Sequence, residues 1–380
     1  MHSLAARFAM LRHAFALVTL CCAAGLPAVA AHAAGADKHR IVIVSSYHRE
    51  YLWSKDTAAG VKAGLLEAGW LDSEEQAARF VREDAVESSR ALLVKLWMDT
   101  KRGNSRAEIA QSVARVVARI DAFRPTLLLL GDDNATRYIA ANYLDTRLPV
   151  VFWGVNGSPT KYDLIDSMER PGHNVTGVYQ AGYLKEGVEW LRKLLPDINR
   201  MAVLSDDSPT GRAKAKELER LARAGDLGVQ LVATVVTNSL ATWQARALEL
   251  APQVDAFFVL NHNTLKDRHG KAVDQLEAGA WYLNNVRKPD IGHERQFVVE
   301  GVLCAVDDSG IKQGREAVRM AWRILNGGEE PAAMTVYAPR RGDFVVNLER
   351  ARMLGLETLV AASPLVEARI ERALALDRHR

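Results

Sequence analysis

IVIVSSYH, at residues 41–48, opens with four β-branched residues and ends in polar and aromatic ones. An unbroken apolar run of this kind is typical of a strand that is covered on both faces, as in a parallel sheet. Two further apolar runs follow, LLLL at 127–130 and VVFW at 150–153. Between the runs, apolar residues recur at helical spacing, which predicts helices at 56–68, 109–120 and 135–143. This alternation of strands and helices predicts a parallel sheet with helices on both faces.

A second series of the same kind begins near residue 174. Its predicted strands lie at 201–204, 229–236, 256–260 and 290–292. Its predicted helices lie at 184–195, 210–224 and 241–250, with another marked by apolar residues between 273 and 283. Two series of this length, each with its own strands, predict an α/β fold of two doubly wound parallel-sheet lobes rather than one large sheet.

Composition and charge restrict the class of protein. The chain has 380 residues, of which 48% are hydrophobic and 25% charged. These values are typical of globular domains and exclude a disordered, collagen-like or multi-span membrane chain. The formal net charge is only +3, so no global field favours nucleic acid or an anionic membrane, and no nucleic-acid partner is expected.

The N-terminus has the order of a secretory signal peptide. Two arginines precede the apolar stretch 14–26, and small residues follow it in two A-x-A arrangements. We predict a signal peptide at residues 1–33, cleaved after Ala30 or Ala33, and a periplasmic location. Cleavage would leave Cys304 as the single cysteine, so no internal disulfide is predicted, and its apolar neighbours predict a buried thiol.

Ligands bind to open parallel sheets outside the carboxyl ends of the strands, and the loops at those positions are rich in polar and aromatic residues here. From the first series we predict ligand-binding roles for Ser46, Tyr47, His48, Trp53, Asp132, Asn134, Trp153 and Asn156. From the second series we predict them for Asp206, Asn261 and His293. Helix N-capping alone would also explain Asn134, and packing between elements would also explain Tyr47 and Trp53.

The sequence contains no motif that indicates a catalytic or a metal-binding site. The sequence contains no G-x-S-x-G nucleophile turn, no Walker A loop and no GxGxxG turn. The histidines of the candidate loops come from distant segments without an HxxxH pair. We therefore predict no metal ligand, no cofactor and no catalytic residue. A secreted hydrolase that uses Ser46, His48 and Asp132 is the minor alternative.

Five stretches spread along the chain have recognisable sequence patterns. They are the loop 45–48 with Trp53, the strand 148–155 (LPVVFWGV), the segment 173–178 (HNVTGV), the helix 314–327 (GREA to ILNG) and the element 346–355 (VNL, then Ala351 and LG). In this order they resemble the type I periplasmic solute-binding proteins, and most closely the ABC-transporter substrate-binding family, whose members include tryptophan- and tyrosine-type binding proteins.

The resemblance implies a periplasmic-binding-protein type I fold of two lobes joined by three crossovers, near 173–179, 296–301 and 328–335. Lobe 1 is then expected to comprise 38–171 plus 301–327. Lobe 2 is expected to comprise 174–297 plus 329–380.

The resemblance also implies a function. It is that of a periplasmic substrate-binding protein of an ABC transporter, which captures a small solute such as an amino acid or small organic compound by hinge closure and has no enzymatic activity. The implied partners are that ligand and an ABC permease in the inner membrane, and a monomer is expected. The alternative is a ligand-sensing subunit that docks on a histidine kinase.

Overall fold

The computed structural model describes residues 38–156 and 158–377, and the predicted signal peptide lies outside them. Within that part of the chain the strands form two sheets. The first has the order β2-β3-β1-β4-β5-β6, with strands β1 (His39–Ser45), β2 (Ala85–Glu87), β3 (Ala91–Trp97), β4 (Leu127–Gly131), β5 (Val150–Asn156) and β6 (Val175–Gln180). The second has the order β13-β12-β11-β10-β9-β7-β8, with strands β7 (Arg200–Ser205), β8 (Gln230–Val236), β9 (Ala256–Val259), β10 (Asp290–Gly292), β11 (Cys304–Val306), β12 (Phe344–Asn347) and β13 (Ala368–Ile370).

Helices cover both sheets. Those packed on the first sheet are α1 (Leu52–Glu67), α2 (Glu74–Arg82), α3 (Arg106–Phe123), α4 (Asp132–Asn134) and α10 (Gly310–Gly327). Those of the second sheet are α5 (Leu184–Leu194), α6 (Pro209–Arg223), α7 (Leu240–Leu250), α8 (Gln275–Asn285), α9 (Arg295–Glu300), α11 (Leu348–Met353), α12 (Glu357–Ala362) and α13 (Leu374–Asp377). We call each sheet with its helices lobe 1 and lobe 2. None of the described helices is long and apolar enough to cross a membrane.

The apolar runs owe their composition to burial on both faces of the sheet. Alternate side chains of β1 point to opposite sides. Ile41 packs in one cluster with Leu65 of α1 and Val318 of α10. Val42 packs in the other cluster with Val116 of α3. The two lobes of mostly parallel strands confirm the predicted α/β fold class.

The edge of the first sheet was not predicted. Strand β2 pairs antiparallel with β3, and both lie in a segment to which the sequence analysis assigns no strand. The reason is Lys95, which interrupts the apolar run of β3. Its side chain is nevertheless buried, because the ammonium donates to the Phe80 carbonyl and lies 4.6 Å from the Phe80 ring centroid. The helix predicted at 135–143 also differs, since a π-helix at Ala135–Ile139 leads into turns there.

The described chain crosses between the lobes three times, at 181–183, 307–309 and 338–343. Each crossing lies further along the chain than predicted. The residues of β6 were expected to form the first crossover and the start of lobe 2. They form instead a strand of lobe 1 that is hydrogen-bonded to β5. Strand β11, expected in lobe 1, pairs with β10 in the second sheet. The chain leaves β11 and returns to lobe 2 at the same end of the sheet, which is why β12 runs antiparallel to β11.

Hydrogen bonds tie the three crossings together. The Gly182 amide of the first crossing donates to Oδ2 of Asp308 in the second, at 2.7 Å. The Gly342 amide of the third crossing donates to the Asp307 carbonyl, also at 2.7 Å. Burial raises the pKa of Asp308 to about 7, although Lys214 and the Gly182 amide oppose the rise. The three crossings are therefore joined by hydrogen bonds into one unit, which contains the titratable carboxyl of Asp308.

Glycines allow α1 and α10 to approach closely. A Cβ atom on Gly314 would lie 2.3 Å from the Thr57 carbonyl oxygen. A Cβ atom on Gly60 would lie 2.0 Å from the Ile311 carbonyl oxygen. No side chain fits at either position without displacing backbone. This contact fixes α10 to lobe 1, although it follows β11 of lobe 2 in the chain.

A buried ion pair holds the middle of lobe 2. Arg350 and Asp290 are both fully buried, and Nε and Nη2 of Arg350 donate to Asp290 Oδ2 at 3.0 and 2.5 Å. Arg350 also donates to the carbonyls of Leu283, Val286 and Lys288. One guanidinium thus joins α11 to the end of α8 and to β10.

Candidate functional site

The loops at the carboxyl ends of the strands in the two lobes meet across a cleft. Tyr51, between β1 and α1 of lobe 1, is 3% exposed. Its hydroxyl accepts a hydrogen bond from Asn263 Nδ2 at 2.8 Å and another from Gln296 Nε2 at 3.3 Å, both in lobe 2. A further bond joins Gln180 Nε2 of β6 to Oε1 of Glu294 in lobe 2, at 3.3 Å. Side chains from both lobes therefore close the cleft.

Three aromatic residues form the lobe 1 wall of the cleft. Tyr47 and Tyr51 pack edge to face with ring centroids 5.2 Å apart, and Trp53 belongs to the same buried cluster. The Trp53 indole donates to Asp132 Oδ1 at 2.6 Å. Asp132 has a positive φ of 70°, a conformation that non-glycine residues seldom adopt outside turns and functional sites.

Burial dominates the electrostatics of this wall. It raises the pKa of Asp132, although the Trp53 indole opposes the rise. It also raises the pKa of Tyr47, and the charge of Asp132 adds to this. The Oδ2 atom of Asp132 has no hydrogen-bond partner among the described residues. Asp132, unlike Tyr47, does not line the cavity between the lobes.

A cavity of about 230 Å³ lies between the lobes. It is slightly smaller than the roughly 300–1,000 Å³ typical of ligand pockets, so it suits only a small solute. Lobe 1 lines it from the loops after β1, β3 and β4, and lobe 2 from the loops after β7, β8 and β9 and the start of α6. The lining residues are Tyr47, Thr100, Lys101, Asn104, Ile109, Asp133, Asn134, Asp207, Ser208, Pro209, Thr210, Arg212, Asn238 and Thr264.

Asp206 organises the lobe 2 wall. Its Oδ1 accepts from the Ser208 amide at 3.1 Å and its Oδ2 from the Thr264 amide at 2.9 Å. The carboxylate thereby fixes two loops that line the cavity. Asn261, next to it, is buried, and its Oδ1 has no partner among the described residues. Neither Asp206 nor Asn261 lines the cavity itself.

His293 and Glu294 lie deeper in lobe 2. His293 is 1% exposed, and its ring lies 4.7 Å from the Phe297 ring. Burial lowers the pKa of His293 to about 4, and Lys214 adds to the effect, so the imidazole is neutral near pH 7. Glu294 Oε2 accepts from Gln296 Nε2 at 2.8 Å, which positions the amide that reaches Tyr51.

Some predicted residues support the loops rather than face the cavity. The Ser46 hydroxyl donates to the Gly131 carbonyl at 2.6 Å and accepts from the Ala135 amide at 2.8 Å, joining the ends of β1 and β4. Asn156 Nδ2 donates to Asp133 Oδ2 at 2.6 Å. Trp153 is 2% exposed and packs in the core of lobe 1 against Gly131, where a Cβ atom would lie 2.4 Å from the indole.

Other predicted residues lie at the rim of the cleft. Asn134 lines the cavity, and its Nδ2 donates to Thr100 Oγ1 at 2.8 Å. It makes no side-chain cap, so the capping alternative does not account for it. His48 Nδ1 lies 3.1 Å from Asp99 Oδ1. Burial lowers the pKa of His48, although Asp99 opposes the change.

The residues of the hydrolase alternative do not form a triad. The Ser46 hydroxyl is held by backbone groups, His48 pairs with Asp99, and Asp132 pairs with Trp53. In the described ranges no group of three or more His, Cys, Asp or Glu side chains is arranged to hold a metal ion.

The sequence analysis missed two central residues, Tyr51 and Lys101. Tyr51 lies two residues before the selected Trp53, but nothing in the sequence shows that two amides of the other lobe bond to its hydroxyl. Lys101 follows β3, the strand that was not predicted because Lys95 interrupts its apolar run. Assigning β3 would have added its loop, including Thr100 and Lys101, to the candidates.

Comparisons with known proteins agree with this fold. A family model described as ABC transporter substrate binding protein matches residues 97–366. Among solved structures, the chain is similar to the ABC domain in complex with L-Trp from Streptococcus pneumoniae, at 18% identity and a TM-score of 0.64, with 88% of this chain and 100% of that chain covered. It is equally similar to a conserved domain protein from Vibrio cholerae, at 18% identity, 88% and 100% coverage and a TM-score of 0.66.

A third similar structure is the ligand-free, open form of a substrate binding protein with adhesive properties from Clostridium difficile, at 18% identity and a TM-score of 0.60. The match covers 88% of this chain and 99% of that chain. None of the curated proteins compared with the chain is a significant match. These structures support the periplasmic-binding-protein type I fold, and the family model extends over well over half of the residues. The chain belongs to the ABC transporter substrate binding protein family.

Proposed function

We propose that the chain captures a small solute between its two lobes in the periplasm and delivers it to an ABC permease in the inner membrane. The observation that carries the proposal is the bridge from Tyr51 to Asn263 and Gln296 beside a cavity lined by both lobes. A closed cleft of this kind is favoured by a ligand that contacts both lobes, because the open form offers only half of the contacts.

The chemistry of the cleft suits binding without turnover. Polar side chains that line the cavity, among them Asn104, Asn134 and Thr210, can orient polar groups of a ligand, and the Tyr47 ring can cover its apolar surface. The hydroxyl, imidazole and carboxyl groups that hydrolysis would need are each engaged elsewhere. The chain acts, on this proposal, as a receptor and not as an enzyme.

The first experiment is recovery of the natural ligand. The full chain is expressed with residues 1–33 in a Gram-negative host, purified from the periplasm without denaturation, and its bound small molecules are released and identified by mass spectrometry. Asn134→Ala is expected to lower ligand occupancy, because it removes a polar side chain that lines the cavity. Asn285→Ala, which alters an exposed amide on α8, serves as the control. Wild-type protein with no small molecule, and no compaction in X-ray scattering with any candidate solute, would contradict the proposal.

A second experiment separates import from signalling. Uptake of the identified solute is measured in cells with and without the gene for this chain. Loss of uptake supports a transport receptor. Unchanged uptake, together with a lost transcriptional response to the solute, supports the sensor alternative.

A further inference from the structure

Lys101 is a buried cation without a hydrogen-bond acceptor. Its side chain is 7% exposed, and its Nζ lies 4.6 Å from the Tyr47 ring centroid and 5.2 Å from that of Tyr51. Among the described residues nothing accepts a hydrogen bond from this ammonium, and Lys101 lines the interlobe cavity. A buried ammonium has three donors to satisfy, so the cavity is where its partner is expected.

The opposite side of the same cavity is the N-terminus of α6. Ser208 is the N-cap, and its hydroxyl accepts from the Gly211 amide at 3.0 Å. Thr210, at the second helical position, lines the cavity with Ser208. Pro209 has no N–H and the Gly211 amide is capped by Ser208, so the Thr210 amide is the donor that this end of the helix offers, beside the positive end of the helix dipole. A cation and a helix N-terminus thus face one space from the two lobes.

Most of the carboxylate oxygens near Lys101 already have partners, and the buried one that does not, Oδ2 of Asp132, is not hydrogen-bonded to Lys101 either. Both oxygens of Asp206 accept from backbone amides. Asp133 accepts from the Tyr162 hydroxyl and from Asn156 Nδ2, each at 2.6 Å. Asp207, which also lines the cavity, pairs with Arg212 at 2.7 Å. These acids contribute a long-range field that favours a charged ammonium, but they do not supply the acceptor that it lacks.

We propose that this end of the cleft, between Lys101 of lobe 1 and the N-terminus of α6 in lobe 2, binds an anionic group of the ligand, a carboxylate or a phosphate. The inference rests on the proposed function and specifies the chemical class of the ligand. The side chains of Asn104 and Asn134 line the same space and offer further donors. An anion there would contact both lobes and would therefore favour the closed form.

Proton linkage supports this arrangement. Burial lowers the pKa of Lys101, although Asp206 and Glu294 oppose the change. A bound anion favours the charged ammonium, so ligand binding is expected to weaken as the pH rises and Lys101 loses its proton.

The test uses matched pairs of probes that differ in one charge. The pairs are L-leucine and L-leucinamide, 4-hydroxybenzoate and 4-hydroxybenzamide, and glycerol 3-phosphate and glycerol. Each is added to the ligand-stripped full chain, and binding is measured by thermal shift and calorimetry. In parallel, the ligand released from native protein is applied to an anion-exchange resin. Two variants, Lys101→Met and Lys101→Arg, alter the proposed site. Lys95→Met is the control, because Lys95 is also a buried lysine of lobe 1 but has its own acceptor.

The anionic member of a pair is expected to bind, and Lys101→Met is expected to weaken it roughly 10- to 150-fold, the effect of one hydrogen bond to a charged group. Lys101→Arg should recover part of the affinity, and Lys95→Met should leave the preference for the anion unchanged. The carboxylate and phosphate arms tell which oxyanion is preferred. The proposal would be overturned if the neutral partner bound equally well, if Lys101→Met bound the anion undiminished, or if the anion exchanger did not retain the released ligand.

A ligand-independent measurement separates this inference from the proposed function. Without a bound anion the Lys101 ammonium is desolvated and lacks an acceptor, so Lys101→Met is expected to raise the melting temperature of the stripped protein. Lys95→Met is not expected to raise it, because Lys95 donates to a carbonyl. A lower melting temperature for Lys101→Met would show that the surrounding carboxylates and the Tyr47 and Tyr51 rings already satisfy the lysine, and would overturn the anion site even if a ligand binds. Absence of any ligand from wild-type protein would instead refute the receptor function.

Discussion

Removal of the Tyr51 hydroxyl should shift the protein towards its open form. In Tyr51→Phe the ring keeps its contacts with Tyr47 and Lys101, and only the acceptor for Asn263 and Gln296 is lost. Each neutral hydrogen bond contributes about 0.5–1.5 kcal/mol net.

Both donors keep another acceptor after the substitution. Asn263 Nδ2 also donates to Gln275 Oε1 at 3.0 Å, and Gln296 Nε2 to Glu294 Oε2 at 2.8 Å. No donor is left buried and unpaired, so the loss should lie near the lower end of the range for two bonds, about 1–2 kcal/mol. This corresponds to a roughly 5- to 30-fold shift of the closure equilibrium. Apparent ligand affinity should fall by up to the same factor, because only the closed fraction binds fully.

Closure is measured by single-molecule energy transfer between dyes on the two lobes of the ligand-free protein, and affinity by calorimetry with the recovered ligand. Tyr143→Phe is the matched control, since its hydroxyl bonds to Asp121 at 2.8 Å within lobe 1. If Tyr51→Phe closes as often and binds as tightly as Tyr143→Phe, the bridge contributes nothing to closure and the reasoning is wrong.

Three further predictions concern stability. Arg350→Met should lower the free energy of unfolding by about 3–5 kcal/mol in urea denaturation, because it leaves Asp290 buried and unpaired, and adding Asp290→Asn should restore part of the loss. The raised pKa of Asp308 means that the folded protein holds a proton that the unfolded chain releases, so the contribution of Asp308 to stability should fall as the pH rises from about 4 through 7. In thermal denaturation across pH, Asp308→Asn should therefore gain stability relative to the wild type over this range, while Asp56 and Asp307, whose pKa values burial also raises, act alike in both proteins. A difference between the two proteins that does not change with pH would argue against a proton on Asp308. Gly314→Ala should cost about 1–3 kcal/mol by chemical denaturation, since its Cβ would overlap a carbonyl of α1, whereas Gly327→Ala, with nothing within 4 Å, should not destabilise.

Most of the strands that the sequence predicts well are buried on both faces, and the exception is β8, which the sequence predicts at 229–236 and which is only half-buried. Continuous apolar runs form β1, β4 and β5 of lobe 1 and β7 and β9 of lobe 2. Such runs can be recognised as strands without knowing what packs against them. β3 and β6 contain residues that only the folded state explains. Lys95 is buried because a carbonyl of α2 accepts its hydrogen bond, and β6 pairs with β5 although its sequence VTGVYQ includes polar residues.

The candidate site shows the same division. The loop rule identified Tyr47 and Asn134, which line the cavity, because it needs only the position of strand ends. It could not decide on which face of β5 the Trp153 side chain lies, since that depends on the space left by Gly131 in β4. It could not reach Tyr51 either, because the role of that residue comes from two amides of the other lobe.

The placement of α10 in lobe 1 has a consequence for the order in which the chain folds. The face of β1 that carries Ile41 is covered partly by Val318, which lies far away in the sequence. A chain synthesised from its N-terminus therefore exposes this apolar face until residues 310–327 arrive, after five of the seven strands of lobe 2 have emerged. Contacts of such long sequence separation slow folding, because a large loop must close before they form. Lobe 2 has to wait longer still, since β12, β13 and the Arg350 that pairs with the buried Asp290 follow α10 in the chain. Neither lobe can therefore be completed from one continuous stretch of chain, and lobe 2 receives its last strands only after lobe 1 has received α10.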